Sequence, residues 1–235
     1  MCYNKYMDMI NLLDKILLSD NVVDEFYKHY SNPDFKSWLT NILPEIENCK
    51  NQKQDNPWHI YNCLDHILHS VEEMNKQTLN LPPDIRRMLA YTMFYHDLGK
   101  PTCHIQRFSK LYGRIIDSFF EHNVVSANIA KRTLKDLGFN EAERTTMHHL
   151  IYNHDMFMFI TLQDDTNPHH KTLTPELIHE KISSYNKIGN GYELMKYLIM
   201  VGKADNLAQN PQMTNTSLHL IEVMKIMMDH YNLSY

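Results

Sequence analysis

The chain has 235 residues, with 23 Lys and Arg against 28 Asp and Glu, for a formal net charge of −5. An acidic balance without a long basic run argues against tight, non-specific nucleic-acid binding as the main task, and no apolar run is long enough to span a bilayer. Six glycines, set against abundant Met, Leu, Ile, Lys and Asn, suit helices with short connections and predict an all-α fold.

Periodicity predicts amphipathic helices over 3–18 and 21–30, and "SNPDFKSWL" offers an N-cap leading into a third. "LPEIENCKNQKQDNP" is polar and holds two prolines, so it reads as a loop. Long helices are predicted at 58–77, 83–98, 117–137, 140–155, 174–187, 191–208 and 214–233. "TLQDDTNPHHKTLTP" reads as a mobile surface loop. No segment shows sustained strand alternation. The expected organisation is one domain over 51–235 preceded by an N-terminal helical extension over 1–50. Cys2, Cys49, Cys63 and Cys103 are scattered without a CxxC, and no signal-peptide pattern opens the chain. A reduced, cytoplasmic protein is the expectation.

The most informative stretch is "YHDLGKP", residues 95–101. Gly99 suits a left-handed position just past a helix end, Pro101 stops the helix, and Lys100 suits the negative end of the helix dipole. Capping therefore explains "LGKP" but not "HD". In "IRRMLAYTMFYHD", Ile85, Leu89 and Thr92 form a stripe on which His96 is next. An Asp beside an inward His costs several kcal/mol to bury unless a positive group meets it, about the scale for an unpaired buried ion.

Other inward stripes carry polar residues too. His59, Cys63, His66 and Ser70 share one. Phe119, His122, Ser126 and Ile129 share another. Met147, Leu150, Ile151 and His154 favour His154 over His148 or His149 as the inward histidine. Leu194, Leu198, Val201 and Asp205 align on a fourth. One divalent cation would satisfy several of these groups at once. Imidazole nitrogen and carboxylate oxygen suit Mn, Fe, Co, Ni or Zn, and the absence of thiolates argues against a structural zinc finger.

The ordered set His66, His96-Asp97 and Asp205 resembles the HD-domain superfamily of metal-dependent phosphohydrolases, and His122 and His154 match the longer series of its two-metal members. The likeness covers roughly 54–210. "QDNPWHIYNCLDHILHSVE", with Gln54, His59, Tyr61 and His66, resembles the opening of the HD domain attached to bacterial CCA-adding tRNA nucleotidyltransferases. "FFEHNVVSANIAKRTLKDLGFN" and "KADNLAQNP" resemble its later segments. That family often has Gly before the third-motif His and an acidic residue after it; here Glu121 and Asn123 flank His122. No Glu-Asp pair of the guanosine tetraphosphate hydrolases is present, nor the GYP signature of the cyclic-di-GMP group.

The resemblance implies an HD-domain helical bundle, free-standing here, that uses one or two divalent ions (Mn, Fe, Ni, Co, Mg or Zn). His66, His96, Asp97 and Asp205 would hold one ion, and Asp97 would bridge to a second on His122 and His154. Lys100 and His59 would contact phosphate or the leaving group. The substrate would be a small phosphorylated compound, such as a 2′,3′-cyclic nucleotide or a nucleoside monophosphate. A dinucleoside polyphosphate or deoxynucleoside triphosphate hydrolase, or a non-enzymatic HD-type binding module, are the alternatives. A tRNA end as substrate, and a homodimer built through the N-terminal residues, are left open.

Overall fold

The computed structural model describes residues 3–163 and 166–233, so Cys2 lies outside the described residues. Eleven α-helices among them make an all-α molecule. Four short helices come first: α1 (Tyr3–Leu17), α2 (Val22–Tyr30), α3 (Pro33–Ile42) and α4 (Glu45–Asn51). The side chain of Asn32 caps α3 by accepting from the amides of Asp34 and Phe35. α4 lies inside the segment read as a loop. Pro44 immediately precedes this helix and so opens it rather than breaks it, and Ile46 and Cys49 face inward at helical spacing.

The bundle proper consists of α5 (Cys63–Thr78), α6 (Pro83–Tyr95), α7 (His122–Thr133), α8 (Glu141–Asn153), α9 (Pro175–Tyr185), α10 (Gly191–Leu207) and α11 (Asn215–Leu233). α5 packs on both α6 and α10, α6 on α8, and α7 on α8, with α9 and α11 against α10. The core runs without a break from Leu13, Phe26 and Leu39 through Leu64, Phe94 and Leu150 to Leu198 and Met224. Buried polar contacts also tie the N-terminal helices to the bundle. Tyr91 donates to Asp14 at 2.6 Å, and the Asn75 amide donates to the Leu17 carbonyl at 2.8 Å. No helix among the described residues is long and apolar enough to cross a membrane.

Three boundaries differ from the sequence reading. α5 starts at Cys63, because the Asn62 side chain caps it through the Asp65 amide, so His59 precedes the helix instead of sharing its stripe. Residues 105–118 form an antiparallel hairpin, β1 (Ile105–Ser109) with β2 (Arg114–Ser118), where the sequence predicted no strand and a helix from 117. The turn is closed at Gly113, whose φ of 62° favours glycine. Phe119 therefore sits between β2 and α7, off the helix. The stretch read as a mobile loop carries a short parallel pairing of β3 (Ile160–Thr161) with β4 (Lys171–Thr172); Asp164 and Asp165 lie outside the described residues.

Gly99 is needed for a reason other than the expected one. Its φ is −77°, an ordinary right-handed value. What excludes a side chain is α7: a Cβ would sit 2.4 Å from the His122 carbonyl oxygen and 2.8 Å from the Ser126 amide nitrogen. The Gly99 amide also donates to Ser126 Oγ at 2.9 Å. The strained position is Glu121, at φ 63° just before α7.

Two substitutions should therefore move stability in opposite directions. Gly99→Ala overpacks a rigid contact and should cost about 1–3 kcal/mol, lowering Tm by at least about 2 °C in a chain of this size. Glu121→Gly relieves the left-handed strain and should raise Tm by about 2–4 °C, for a gain of up to about 1 kcal/mol. Thermal unfolding followed by circular dichroism checks both; an unchanged Tm for either would remove the packing or strain assigned to it.

Candidate metal centre

Five separate elements deliver the site. His66 projects from the first turns of α5, and Asp205 from the last turn of α10. His96 caps the C-terminus of α6, with Asp97 next in the following turn. His122 opens α7, and His154 caps α8. All six residues are buried.

The imidazoles are oriented by one repeated device. His96, His122 and His154 each place Nδ1 on the carbonyl three residues earlier: Met93 at 2.6 Å, Phe119 at 2.7 Å and Ile151 at 2.7 Å. His66 Nδ1 faces the Ala208 carbonyl at 3.3 Å. A carbonyl only accepts, so Nδ1 carries the hydrogen in all four and Nε2 is turned inward.

The inward atoms fall into two groups joined at Asp97. Around its Oδ2, His66 Nε2 is at 3.1 Å and His96 Nε2 at 3.2 Å. Asp205 Oδ1 is 2.9 Å from His66 Nε2 and 3.5 Å from His96 Nε2, and the two Nε2 atoms are 3.4 Å apart. Around Asp97 Oδ1, His122 Nε2 is at 3.0 Å and His154 Nε2 at 3.6 Å, and these nitrogens are 3.2 Å apart. Donors bound to one ion at about 2.1 Å stand roughly 3.0 Å apart across a right angle and roughly 3.4 Å apart at the tetrahedral angle. The observed spacings span that range. His66, His96, Asp97 and Asp205 could hold one metal ion, and Asp97, His122 and His154 another.

The donor chemistry fits a divalent cation. Both Asp97 oxygens are enclosed yet take no well-directed hydrogen bond, while converging nitrogens surround them. A buried carboxylate left in that state costs several kcal/mol, as for one ion of a buried pair. Burial pushes the carboxyls of Asp97 and Asp205 up, but the neighbouring imidazoles, with Lys100 beside Asp97, hold both well below the usual range. Burial pulls the His96 imidazole down, but Asp97 and Asp205 outweigh it and raise His96 to about 9. His66 is raised against burial by Asp205 and Asp97, and His154 by Asp155 and Asp97.

Lys100 does not cap a helix at the surface. It is buried, with Nζ 2.6 Å from Asp97 Oδ2, 2.9 Å from Gln54 Oε1 and 3.0 Å from His59 Nε2. Gln54 and His59 each take one of its hydrogens, and its charge stands against Asp97 as an ion pair without a well-directed bond. His59, half-buried, places Nδ1 on Asn56 Oδ1 at 2.8 Å and so accepts from Lys100 as a neutral ring. Burial and then the Lys100 charge keep its pKa well below the usual value. The sequence-predicted His59 thus borders the site through Lys100, with its ring centre 5.0 Å from that of His66.

His149 is also buried but belongs elsewhere, against the ring of Tyr185 at 4.3 Å, and burial lowers it to about 4. Sequence reasoning passed over Asp155, which places Oδ2 3.3 Å from His122 Nε2 and Oδ1 3.4 Å from His154 Nε2. The signal was present: His-Asp at 96–97 recurs at 154–155. It also gave no role to two thiols beneath the Asp97–Leu98 turn, those of Cys49 and of Cys63 on the His66 stripe. Cys63 Sγ lies 3.6 Å from the Asp97 carbonyl, and Cys49 Sγ 3.8 Å from that of Leu98. In comparisons with known proteins, the chain matches no family model and no curated protein.

Proton competition at this centre is measurable. Since His96 is raised to about 9, it holds a proton on Nε2 at pH 7.5 that an ion must displace. Affinity for Mn should therefore climb as pH rises towards 9. Titration calorimetry at pH 7.5 in two buffers of different ionisation heat should read at least about one proton released per chain. Equal heats in both buffers would show that the imidazoles were already free.

Proposed function

We propose that this chain is a metal-dependent phosphohydrolase of the HD-domain type, acting on a small phosphoester, in particular a nucleotide. The observation that carries the reading is one buried carboxylate, that of Asp97, standing between two imidazole pairs at ion-sharing distances. Divalent ions bound there would bring the pKa of a coordinated water towards neutrality and offset charge on a phosphoryl oxygen.

The chain's own residues supply the rest. The four Nδ1–carbonyl contacts fix the rings before any ion arrives, so little order is lost on binding. Lys100 holds Asp97 Oδ2 in place, and Gln54 and His59 hold Lys100. Lys100 is on this reading a positioning residue, able to meet a phosphate only by releasing one of those partners. Gln209 steadies Asp205 from 3.2 and 3.3 Å.

Access argues for a small substrate. The side chains of His66, His96, Asp97 and His154 are at most 1% exposed, whereas those of His122, Asp205 and Asp155 reach 10%, 11% and 22%. A compact phosphate group can reach such an opening more readily than a long polymer. The net charge of −5 also disfavours an extended nucleic acid.

The test is a hydrolysis screen with Mn-loaded protein on 2′,3′-cyclic nucleotides, nucleoside mono- and triphosphates, and dinucleoside polyphosphates. One class should be hydrolysed, with the rate abolished by chelator and reduced at least about 100-fold in Asp97→Ala, beyond the range for loss of an outer partner. Full activity and full metal content in Asp97→Ala would refute the assignment. Tight metal uptake with no hydrolysis of any class would point to the binding-module alternative.

A further inference from the structure

A cavity of about 290 Å³ opens between α7 and α8, lined by Lys131 of the first and by Glu141, Arg144, Thr145 and His148 of the second. None of these residues belongs to the metal cluster. His148 precedes the metal-site His154 along α8 by about 9 Å of helical rise.

The cations of this cavity lack counter-charges. Arg132, next to Lys131, meets Glu45 at 2.7 Å. Among the described residues neither Lys131 nor Arg144 has such a partner, although acidic residues outnumber basic ones in the chain and Glu141 shares the lining. Arg144 engages only Nε, on the Asn140 carbonyl at 3.3 Å, which leaves its two terminal amino groups open. The first turn of α8 is already closed by the reciprocal caps of Asn140 and Glu143, so the positive charge here belongs to side chains. Like charges crowd the same stretch. Burial and then the Lys131 ammonium hold the His148 imidazole below its usual value. Burial, followed by His148 and Lys181, lowers His149 to about 4. An anion among these groups relieves their repulsion.

We infer that this cavity binds a phosphate group. Arg144 offers a planar set of N–H donors and Lys131 a point charge, and the His148 ring can add one more donor. Together they suit the several oxygens of a phosphate. The volume stands near the lower end of small-ligand pockets, roughly 300–1,000 Å³, which admits a phosphate and part of what carries it. Glu141 opposes an anion and so limits its affinity.

The site is separate from the metal centre, so chelator-treated protein tests it, with inorganic phosphate titrated against amide NMR shifts. Wild type should show saturable shifts centred on Lys131 and on Glu141 to His148. Arg144→Gln should bind at least about tenfold more weakly, the low end for losing a hydrogen bond to a charged group. Lys131→Gln should also weaken binding, and Glu141→Gln should tighten it. Mn uptake should be unchanged in all three, which keeps this site distinct from the metal reading. AMP titrated in parallel separates phosphate carried on a nucleoside, which would bind more tightly, from free phosphate, which would bind equally well. No saturable shifts at these residues in wild type would overturn the inference. So would full phosphate affinity in the folded Arg144→Gln and Lys131→Gln proteins, with circular dichroism confirming their fold.

Discussion

The arrangement turns on one buried anion. Asp97 is 1% exposed, both of its oxygens are enclosed, and neither has a well-directed hydrogen-bond donor. A carboxylate in that position drives the chain apart unless positive charge is assembled around it. Four imidazoles and Lys100 form that surround; His96 and Lys100 belong to the segment that carries Asp97, and His66, His122 and His154 come from three others. The bundle's geometry can therefore be read as the means of bringing three distant helices to the one turn that carries Asp97. Gly99 serves the same end, because only a missing Cβ lets the turn that carries Asp97 lie against the first residues of α7.

Helix ends do most of this positioning. His96 and His154 stand at the C-terminal caps of α6 and α8, and His122 at the first residue of α7. At the two C-terminal caps the last carbonyls lack a ladder partner and can accept a side chain, while His122 uses the Phe119 carbonyl in the turn before α7. The recurring Nδ1 contact to the carbonyl three residues back uses them, so one local feature both satisfies the backbone and aims the ring. Glu121 shows the cost of the arrangement. The chain must turn through a left-handed conformation to start α7 at His122, and here a glutamate takes it. The family that the sequence resembles often has glycine there, the residue for which that conformation carries no strain.

The clustering of these histidines and aspartates was legible because inward polar residues break an otherwise apolar stripe, and helical spacing then says which of several histidines faces in. That logic selected His154 over His148 and His149. It failed where the local structure is not helical. His59 was placed on the stripe of His66, but Asn62 starts the helix after it, and His59 reaches the site from a turn. The hairpin at 105–118 escaped because "IQRFS" and "RIIDS" present mixed faces, with Phe108 and Ile115 exposed while Ser109, Asp117 and Ser118 are buried. α4 escaped because its flanking prolines look like breakers when they are brackets. Lys100 could not be assigned from spacing at all, since a long flexible side chain reaches the interior or the surface from the same backbone position.

The burial gradient across the cluster adds a direction to the chemistry proposed. Its inner side is closed by His66, His96, Lys100 and the thiols of Cys49 and Cys63 packed under the Asp97–Leu98 turn. Its outer side, at His122 and Asp155, meets solvent. Electrostatic interactions strengthen as water is excluded, so the closed side is suited to gripping an ion permanently. The open side is suited to exchange, because a ligand there can be replaced without unpacking the core. In the proposed reaction, the inner centre would therefore act mainly to hold and orient Asp97, and the phosphoester would meet the protein at the outer one. This direction rests on where water can reach, and it would hold for any small phosphoester.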